Sequence, residues 1–311
     1  MPINKSLLLA AALAAVSPAR ADGTLSKPAL TDNLDYLLDG NVASLPSNGG
    51  PYWGKWEDGL MPADCKSIAE DQGLNPTDFE VWDIFFDDCQ DGWSFCRHKD
   101  SADSFETLVD TFGRVPVRMR SWVRHVLTIP GDNWAFNSNG NICFSGTTSQ
   151  NLDVALHETG HSLDLLGAYG DGALSSSQEW LDAYNADSNV PDNYARSNQV
   201  ENVAQNTVVA VYDKNVPGGF PGVQGDYAKI QNQYTLVEDK AGDQIIPGGT
   251  CDRHLENSET VPMSGSTAKR DIKIKGRTVG AGAVTHDWKF KGTYSNIVTD
   301  FEPFNSKDFH H

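Results

Sequence analysis

The chain is poor in positive charge and in long apolar segments. Its 311 residues include 24 lysines and arginines against 42 aspartates and glutamates, which gives a formal net charge of −18. Such an acidic chain lacks the positive surface that binds nucleic acid or anionic membranes, so we expect neither partner. After residue 16 no segment is long and apolar enough to cross a bilayer, and the sequence predicts no membrane insertion.

The N-terminus has the composition of a secretory signal peptide. Lys5 precedes an apolar run at residues 7–16, and residues 19–21 read Ala-Arg-Ala, an A-x-A cleavage pattern. The run is too short to span a bilayer. We therefore assign residues 1–21 to a signal peptide that is cleaved at its end, and we expect a secreted, extracellular product.

Cysteines are few, and none are spaced as Cys-x-x-Cys, which argues against a cysteine zinc cluster. An exported chain with five cysteines is expected to form two disulfides and to keep one thiol. Cys89 and Cys96 are close enough in sequence to close a small loop, in which case Cys65 can pair with Cys251, but the sequence does not fix the connectivity. Cys143 lies in an apolar, strand-like run and is our choice for the buried free thiol.

Residues 157–161 read His-Glu-Thr-Gly-His and fit the pattern H-E-x-x-H. On a helix, positions i and i+4 point the same way, so His157 and His161 can bind one metal ion. Glu158 lies about 100° further round the helix, where its carboxylate can reach a water on that metal. The pattern predicts metal-assisted hydrolysis, most often of peptide bonds. The alternative is a pair of surface histidines on an amphipathic helix.

The sequence around the motif favours the metal site. Five apolar residues cluster on the side of the helix opposite the histidines: Leu152, Ala155, Leu156, Leu163 and Leu166. Ser149 or Asn151 can cap the start of this helix, and Gly167 can end it. Asp164 returns to the metal face, where it either orients a ligand imidazole or is an ordinary solvated charge.

A catalytic zinc needs a third protein ligand and an open position for water. The longer pattern H-E-x-x-H-x-x-G-x-x-H fails, because Asp164 and Gly167 stand where it requires Gly and His. A carboxylate must therefore serve as the third ligand. The candidates downstream are Asp171, Glu179 and Glu201.

We favour Glu201 among these candidates. It lies on a predicted helix whose other face carries Val200, Ala204 and Val211, and the small Ala204 would let that helix pack close beneath the metal helix. Tyr194, seven residues earlier, is either an ordinary packed aromatic or a group whose hydroxyl stabilises the oxyanion. We expect one Zn²⁺ per chain, bound by His157, His161 and Glu201.

The remaining segments predict an α+β fold with a small mixed sheet. Strands are expected at residues 79–86, 134–136 and 142–144, the last two joined as a hairpin, and helices at residues 104–112, 178–186 and 198–212. The strand at 142–144 would offer an edge to an extended substrate. We divide the chain into a signal peptide (1–21), an irregular N-terminal segment (22–60), a catalytic domain (61–250) and a C-terminal β or irregular appendage (251–311).

Two segments resemble the lethal-factor-like gluzincin metallopeptidases. Residues 194–205 are similar to their third-ligand helix, in which a Tyr precedes the ligand Glu by the same interval, and residues 157–164 resemble their active-site helix. The resemblance implies a zincin-like fold and a zinc peptidase. One departure is Gln205, which stands where that family tends to carry a second Glu. A neutral amide there is expected to support a ligand imidazole more weakly.

A longer stretch resembles the secreted fungal proteins known as conidiation-specific protein 13. The matching segments are residues 88–98, 112–117, 175–180, 191–196 and 212–219. This resemblance implies a fungal source and a spore or cell-wall setting, including association with the cell wall. The group's name records when its members are expressed, so it does not specify an activity.

Two classes of function follow from these features. The first is a secreted zinc metallopeptidase that hydrolyses a peptide or protein substrate, in which Glu158 moves the proton and Tyr194 stabilises the oxyanion. The second is a catalytically inactive zincin-like protein of the spore or cell surface that acts by binding. A hydrolase for a non-peptide amide is a third, less common outcome for this arrangement.

Overall fold

The computed structural model describes residues 24–47 and 52–265. The predicted signal peptide at 1–21 and residues 266–311 of the predicted appendage lie outside this part of the chain. No helix among the described residues is long and apolar enough to cross a membrane.

Helices and strands alternate irregularly along the described residues. The helices are α1 (Leu38–Ser44), α2 (Ala63–Asp71), α3 (Phe105–Arg114), α4 (Val117–Arg120), α5 (Leu152–Leu165), α6 (Gln178–Ala186), α7 (Gln199–Asn215), α8 (Gly219–Val223) and α9 (Gln231–Ala241). The strands are β1 (Tyr52–Lys55), β2 (Leu60–Pro62), β3 (Phe79–Phe85), β4 (Trp93–His98), β5 (His125–Ile129), β6 (Trp134–Ser138), β7 (Asn141–Ser145) and β8 (Thr260–Pro262). The mixture of helix and sheet agrees with the predicted α+β composition.

Six of the strands form one mixed sheet in the order β1-β3-β4-β5-β7-β6. The pairs β4–β5 and β5–β7 are parallel, and the outer pairs β1–β3, β3–β4 and β6–β7 are antiparallel. Strands β2 and β8 pair separately. Strand β7 is hydrogen-bonded on both sides, so the predicted substrate edge at residues 142–144 is wrong. The free edge on that side of the sheet belongs to β6.

Each face of the sheet packs against a hydrophobic core. Successive side chains of a strand point to opposite faces, so one strand contributes to both cores. On β7, Ile142 and Phe144 join the larger core, which includes side chains from α3, α5 and α7. Cys143 points the other way into a smaller core with residues of α2. Helix α5, which carries His157 and His161, therefore packs on the side of the sheet that holds the larger core.

The hairpin that precedes α5 forms as predicted. Ser138 pairs with Asn141, which leaves Asn139 and Gly140 as a two-residue loop. Both loop residues have positive φ, 52° at Asn139 and 80° at Gly140, as a type I′ turn requires. The Asn137 amide donates to the Glu158 carbonyl at 2.8 Å and to Ser162 Oγ at 2.7 Å, so the hairpin is fixed to the metal helix.

The sequence predicts an irregular N-terminal segment at residues 22–60, but the structure shows a helix and a strand there. The segment contributes α1 and the sheet strand β1, and three of its leucines are buried in the larger core: Leu34, Leu37 and Leu45. The Leu30 N–H also donates a hydrogen bond to the Val190 carbonyl, at 2.8 Å. The burial of these leucines, which the loop-like composition of the segment conceals, explains the difference.

The boundary at residue 250 is also wrong for the described part of the appendage. Cys251 is bonded to Cys89, Leu255 is buried, and β8 pairs with β2. The Arg253 guanidinium lies 3.4 Å from the centre of the Trp122 ring. Residues 251–265 are therefore covalently and sterically part of the same body as residues 61–250.

The disulfides join Cys65 to Cys96 and Cys89 to Cys251, and Cys143 is the buried free cysteine. The free thiol is as predicted, but the pairing of Cys89 with Cys96 is wrong. Cys89 lies in the larger core and Cys96 in the smaller one, on opposite faces of the sheet. A short separation along the chain cannot bring two such side chains together.

Candidate metal centre

Helix α5, which carries His157, Glu158 and His161, begins at a side-chain cap. Of the two candidate caps, Asn151 is the one used: its Oδ1 accepts hydrogen bonds from the backbone N–H groups of Asp153 (2.9 Å) and Val154 (3.4 Å). Gly167, with φ of 84°, follows the end of the helix. Four of the five predicted packing residues are buried, and Leu166 is half-buried. The cap and the core contacts together fix where the histidines point.

Helix α7 crosses directly against α5 at two small residues. A Cβ atom placed on Gly160 would lie 3.1 Å from the Cβ atom of Thr207 and 3.3 Å from the Cα atom of Ala204. The predicted close approach of the two helices at Ala204 is therefore confirmed. The Asn198 side chain caps α7 by accepting from the Glu201 N–H at 3.0 Å, so Glu201 lies in the first turn.

His157, His161 and Glu201 converge in the buried space between these helices. Glu201 Oε2 is 3.1 Å from His157 Nε2 and 3.2 Å from His161 Nε2. The three candidate ligand atoms all lie within 4.8 Å of one another. Among the described residues no other His, Cys, Asp and Glu side chains form such a group. The other two candidates are elsewhere: Asp171 is exposed, and Glu179 is paired with Lys240 at 2.5 Å.

This donor set fits a zinc ion. Two imidazole nitrogens and one carboxylate oxygen are the ligands of many catalytic zinc sites. Ligands about 2.0–2.2 Å from a zinc ion in tetrahedral geometry would be about 3.3–3.6 Å apart, close to the separations of His157 and His161 from Glu201. Burial alone raises the pKa of Glu201, but the neighbouring His161 and His157 hold it well below its usual value. Glu201 is therefore an anion, as a ligand must be.

The Gln205 amide orients His157. Gln205 Nε2 donates to Asp192 Oδ2 at 2.5 Å, so Gln205 Oε1 is left to face His157 Nδ1 at 3.0 Å. An amide oxygen only accepts, which means that His157 Nδ1 carries the proton and His157 Nε2 keeps its lone pair. Asp192 is itself held by the backbone N–H of Ala195 at 2.8 Å. Gln205 thus favours the tautomer that a metal ligand needs; that a neutral amide supports the imidazole more weakly than a carboxylate stays a prediction.

Asp164 does not hold the second imidazole. Its Oδ1 accepts from the Ser175 N–H at 2.9 Å and so anchors the loop after α5. Within the described residues His161 Nδ1 has no hydrogen-bond partner. The predicted support of His161 by Asp164 is therefore not observed.

Glu158 is buried beside the three converging side chains. Its side chain is 2% exposed, and Oε2 has no hydrogen-bond partner within the described part of the chain. Burial, together with the charge of Glu201, raises the pKa of Glu158 to about 8, although His157 acts in the opposite direction. A bound cation would act in the opposite direction and favour the carboxylate. Glu158 thus has a free oxygen with which to exchange a proton.

Tyr194 packs near the imidazole of His157. The centres of the two rings are 5.4 Å apart, and the Tyr194 hydroxyl is hydrogen-bonded to Glu201. Burial and the nearby carboxylates of Glu201 and Glu158 raise the pKa of Tyr194 above its usual value. The hydroxyl therefore stays protonated and can donate a hydrogen bond. The structure brings together all five side chains that the sequence predicts for the site: His157, Glu158, His161, Tyr194 and Glu201.

A cavity of about 150 Å³ opens next to these residues. His157, Glu158 and Tyr194 form one part of its wall, and residues 32–35 of the N-terminal segment form another. Asp153, in the first turn of α5, also lines it, and burial raises the pKa of Asp153 to about 7. The cavity gives a small ligand access to Glu158 and to His157, one of the three candidate metal ligands.

Sequence reasoning missed three residues that complete the site: Asn137, Asp153 and Asp192. Asp192 lies two residues before Tyr194 in a segment already noted for its resemblance, so its proximity to the site could have been inferred. The roles of Asn137 and Asp153 depend on which elements lie next to α5. No spacing along the chain gives that information.

Comparisons with known proteins identify the family. The model of the family described as Conidiation-specific protein Con-13 matches residues 32–288. The chain is 31% identical over 267 residues to "Conidiation-specific protein 13" of Neurospora crassa, which covers 83% of this chain and 76% of that relative. The chain therefore belongs to the conidiation-specific protein 13 family. No solved structure matches it, and the zincin-like fold stays a prediction.

Proposed function

We propose that the protein is a secreted zinc-dependent metallopeptidase that hydrolyses peptide bonds. One observation carries this proposal: two histidines and a glutamate from crossing helices converge within 4.8 Å, beside a buried glutamate whose Oε2 lacks a partner. Ion pairing alone would account for the contacts of Glu201 with His157 and His161. It gives no reason to bury Glu158 next to them, because an unpaired buried carboxylate is costly.

His157, His161 and Glu201 would hold the zinc ion. When bound, zinc lowers the pKa of a water to about 7 and polarises the scissile carbonyl. Glu158 accepts the proton of the attacking water at its free Oε2 and then delivers this proton to the leaving amine. The Tyr194 hydroxyl donates a hydrogen bond to the oxygen on which negative charge develops. Strand β6, at the edge of the sheet and fixed to α5 through Asn137, would bind the extended substrate backbone.

The setting of this activity is also part of the proposal. Two disulfides within the described residues are typical of proteins that fold in an oxidising compartment, which supports export. The name of the Neurospora crassa relative places that protein in conidiation. We extend this setting to the chain and propose that it acts at the spore or cell wall.

The metal content of the exported protein tests the proposal first. We expect protein purified from culture medium, without chelators or nickel columns, to contain about one zinc per chain by elemental mass spectrometry. A His161→Ala variant should lose most of this zinc, whereas the exposed Glu179→Gln variant should keep it. Absence of the protein from the medium would contradict export. A chain without tightly bound metal would exclude the peptidase and leave the non-catalytic binding protein.

The Asp192–Gln205–His157 chain leads to a second expectation. Replacing Asp192 by Asn removes the carboxylate that orients the Gln205 amide, so either face of that amide can then point to His157. We expect zinc affinity, measured by competition with a chromophoric chelator, to fall by roughly 10- to 100-fold. The exposed Asp226→Asn variant is the control and should bind zinc as the parent does. Equal affinities for the two variants would show that Asp192 does not position the ligand.

A further inference from the structure

The cavity beside the candidate metal centre is unusually acidic. Asp32 and Asp35 are exposed residues in its wall, and the buried Asp153, Glu158 and Asp192 line its interior. No lysine or arginine contributes to the lining. Both carboxylate oxygens of Asp192 already accept hydrogen bonds, from Gln205 and Ala195. Two other lining carboxylates, those of Asp153 and Glu158, are buried, and each has one oxygen without a hydrogen-bond partner among the described residues.

Asp153 has an oxygen that no group of the described chain satisfies. The side chain is 8% exposed; Oδ1 accepts from Asn41 Nδ2 at 2.8 Å, but Oδ2 has no hydrogen-bond partner. A position in the first turn of α5 explains why an acid is favourable there. It does not explain why Oδ2 of a residue that lines a cavity is buried without a donor, an arrangement that costs free energy until a donor binds.

A metal ion does not suit the unpaired Oδ2 atom of Asp153. A calcium ion takes six to eight oxygen ligands, and a magnesium ion requires near-octahedral geometry. Among the described residues, however, the acidic side chains of this cavity do not bring three ligand atoms together, as His157, His161 and Glu201 do. A single free carboxylate oxygen suits an organic cation with N–H donors. Apolar side chains in the same wall, Leu34, Val154 and Val208, suit the methylene groups that carry such a cation.

We propose that this cavity is a specificity pocket for a basic side chain of the substrate, a lysine or arginine next to the scissile bond, and that Asp153 binds its cationic end. The proposal rests on the peptidase function, since Glu158 lines the same cavity and would meet the adjacent peptide bond. A cavity of about 150 Å³ holds several water molecules and hence the end of a lysine side chain. Residues 32–35 then serve as one wall of the substrate site.

Matched peptides test the pocket. Quenched fluorescent peptides that carry lysine or its uncharged analogue norleucine at one position near the cleavage site are compared by kcat/KM. We expect the lysine peptide to be preferred by roughly 10- to 100-fold at one position, the size of a charge-assisted hydrogen bond. In the Asp153→Asn variant this ratio should fall to about threefold or less, while zinc content stays at the parental value. Asp35→Asn, at an exposed carboxylate, should reduce the ratio less.

Binding without turnover separates this inference from the proposed function. The same peptides are titrated into zinc-loaded Glu158→Gln protein and followed by fluorescence anisotropy. Tighter binding of lysine peptides without hydrolysis by the parent would support the pocket and overturn the peptidase. Hydrolysis without any lysine preference would overturn the pocket and leave the peptidase. A preference that survives Asp153→Asn would also overturn the pocket, and no binding and no hydrolysis of any peptide would overturn both.

Discussion

The Glu158→Gln variant is expected to keep its zinc and to lose roughly 10²- to 10⁴-fold in peptide hydrolysis, the usual contribution of a positioned general base. Glutamine has nearly the volume of glutamate but cannot accept a proton. Because Glu158 Oε2 has no partner within the described residues, the substitution breaks no hydrogen bond at that atom. The variant should therefore fold and bind metal as the parent does, so that the loss of rate reports on the proton transfer alone.

Casein and a peptide library are suitable substrates, with zinc content measured on the same samples. Glu179→Gln is the matched control, because Glu179 is exposed and paired with Lys240, away from the candidate metal ligands. Its activity should remain within about twofold of the parent, as expected for a surface substitution. If Glu158→Gln protein with full zinc cleaved casein at the parental rate, Glu158 would have no part in the chemistry.

The arrangement of the site could be anticipated because it depends on two helices with a strong local pattern. The i, i+4 spacing of His157 and His161 needs only that α5 be helical, and Asn151 and Gly167 mark its ends in the sequence. Glu201 could be preferred because Ala204 permits close packing of its helix. Such signals place the end of helix α3 less well. The sequence predicts that it ends at residue 112, but it continues through the buried Gly113 and ends at Arg114, before Pro116.

Features that depend on the order of strands could not be anticipated. Which cysteines can meet is decided by the face of the sheet on which each lies, and this follows from pairings across the whole chain. The free substrate edge depends in the same way on β6 being the outermost strand. Asp153 stands in the first turn of α5, where an acid is favourable in any helix, so the sequence gives no sign of a further role. Asp153 becomes a candidate binding residue only because Asn41 of α1 donates a hydrogen bond to it and residues 32–35 line the same cavity.

Segments near both ends of the described chain contribute to the body that carries the candidate site. Residues 32–35 line the cavity, and Cys251 is bonded to the turn after β3. The matched region, residues 32–288, contains both. A site whose walls come from distant segments requires those segments to be held in place. The disulfide between Cys251 and Cys89 does this at one end, and it lies next to a buried ion pair.

That ion pair, Arg120 with Asp88, is expected to dominate the stability of this region. Arg120 is fully buried; its Nη2 donates to Asp88 Oδ2 at 2.5 Å and its Nε to the Val115 carbonyl at 2.8 Å. The guanidinium also lies 4.3 Å from the centre of the Phe86 ring. Burial lowers the pKa of Arg120 to about 10, in spite of the opposing effect of Asp88, so the guanidinium is still charged at neutral pH.

Replacing Asp88 by Asn should therefore leave a buried positive charge without its counter-charge, which costs about 3–5 kcal/mol in free energy of unfolding. The loss is measured by chemical denaturation with both disulfides intact. Asp226→Asn, which removes the carboxylate from an exposed pair with Lys229, is the control and should change stability within experimental error. Adding Arg120→Met to Asp88→Asn should recover part of the loss, because the buried charge is then gone. If Asp88→Asn were as stable as the control variant, the stacked aromatic rings and the Val115 carbonyl would suffice to hold the guanidinium, and the fold here would not depend on the ion pair.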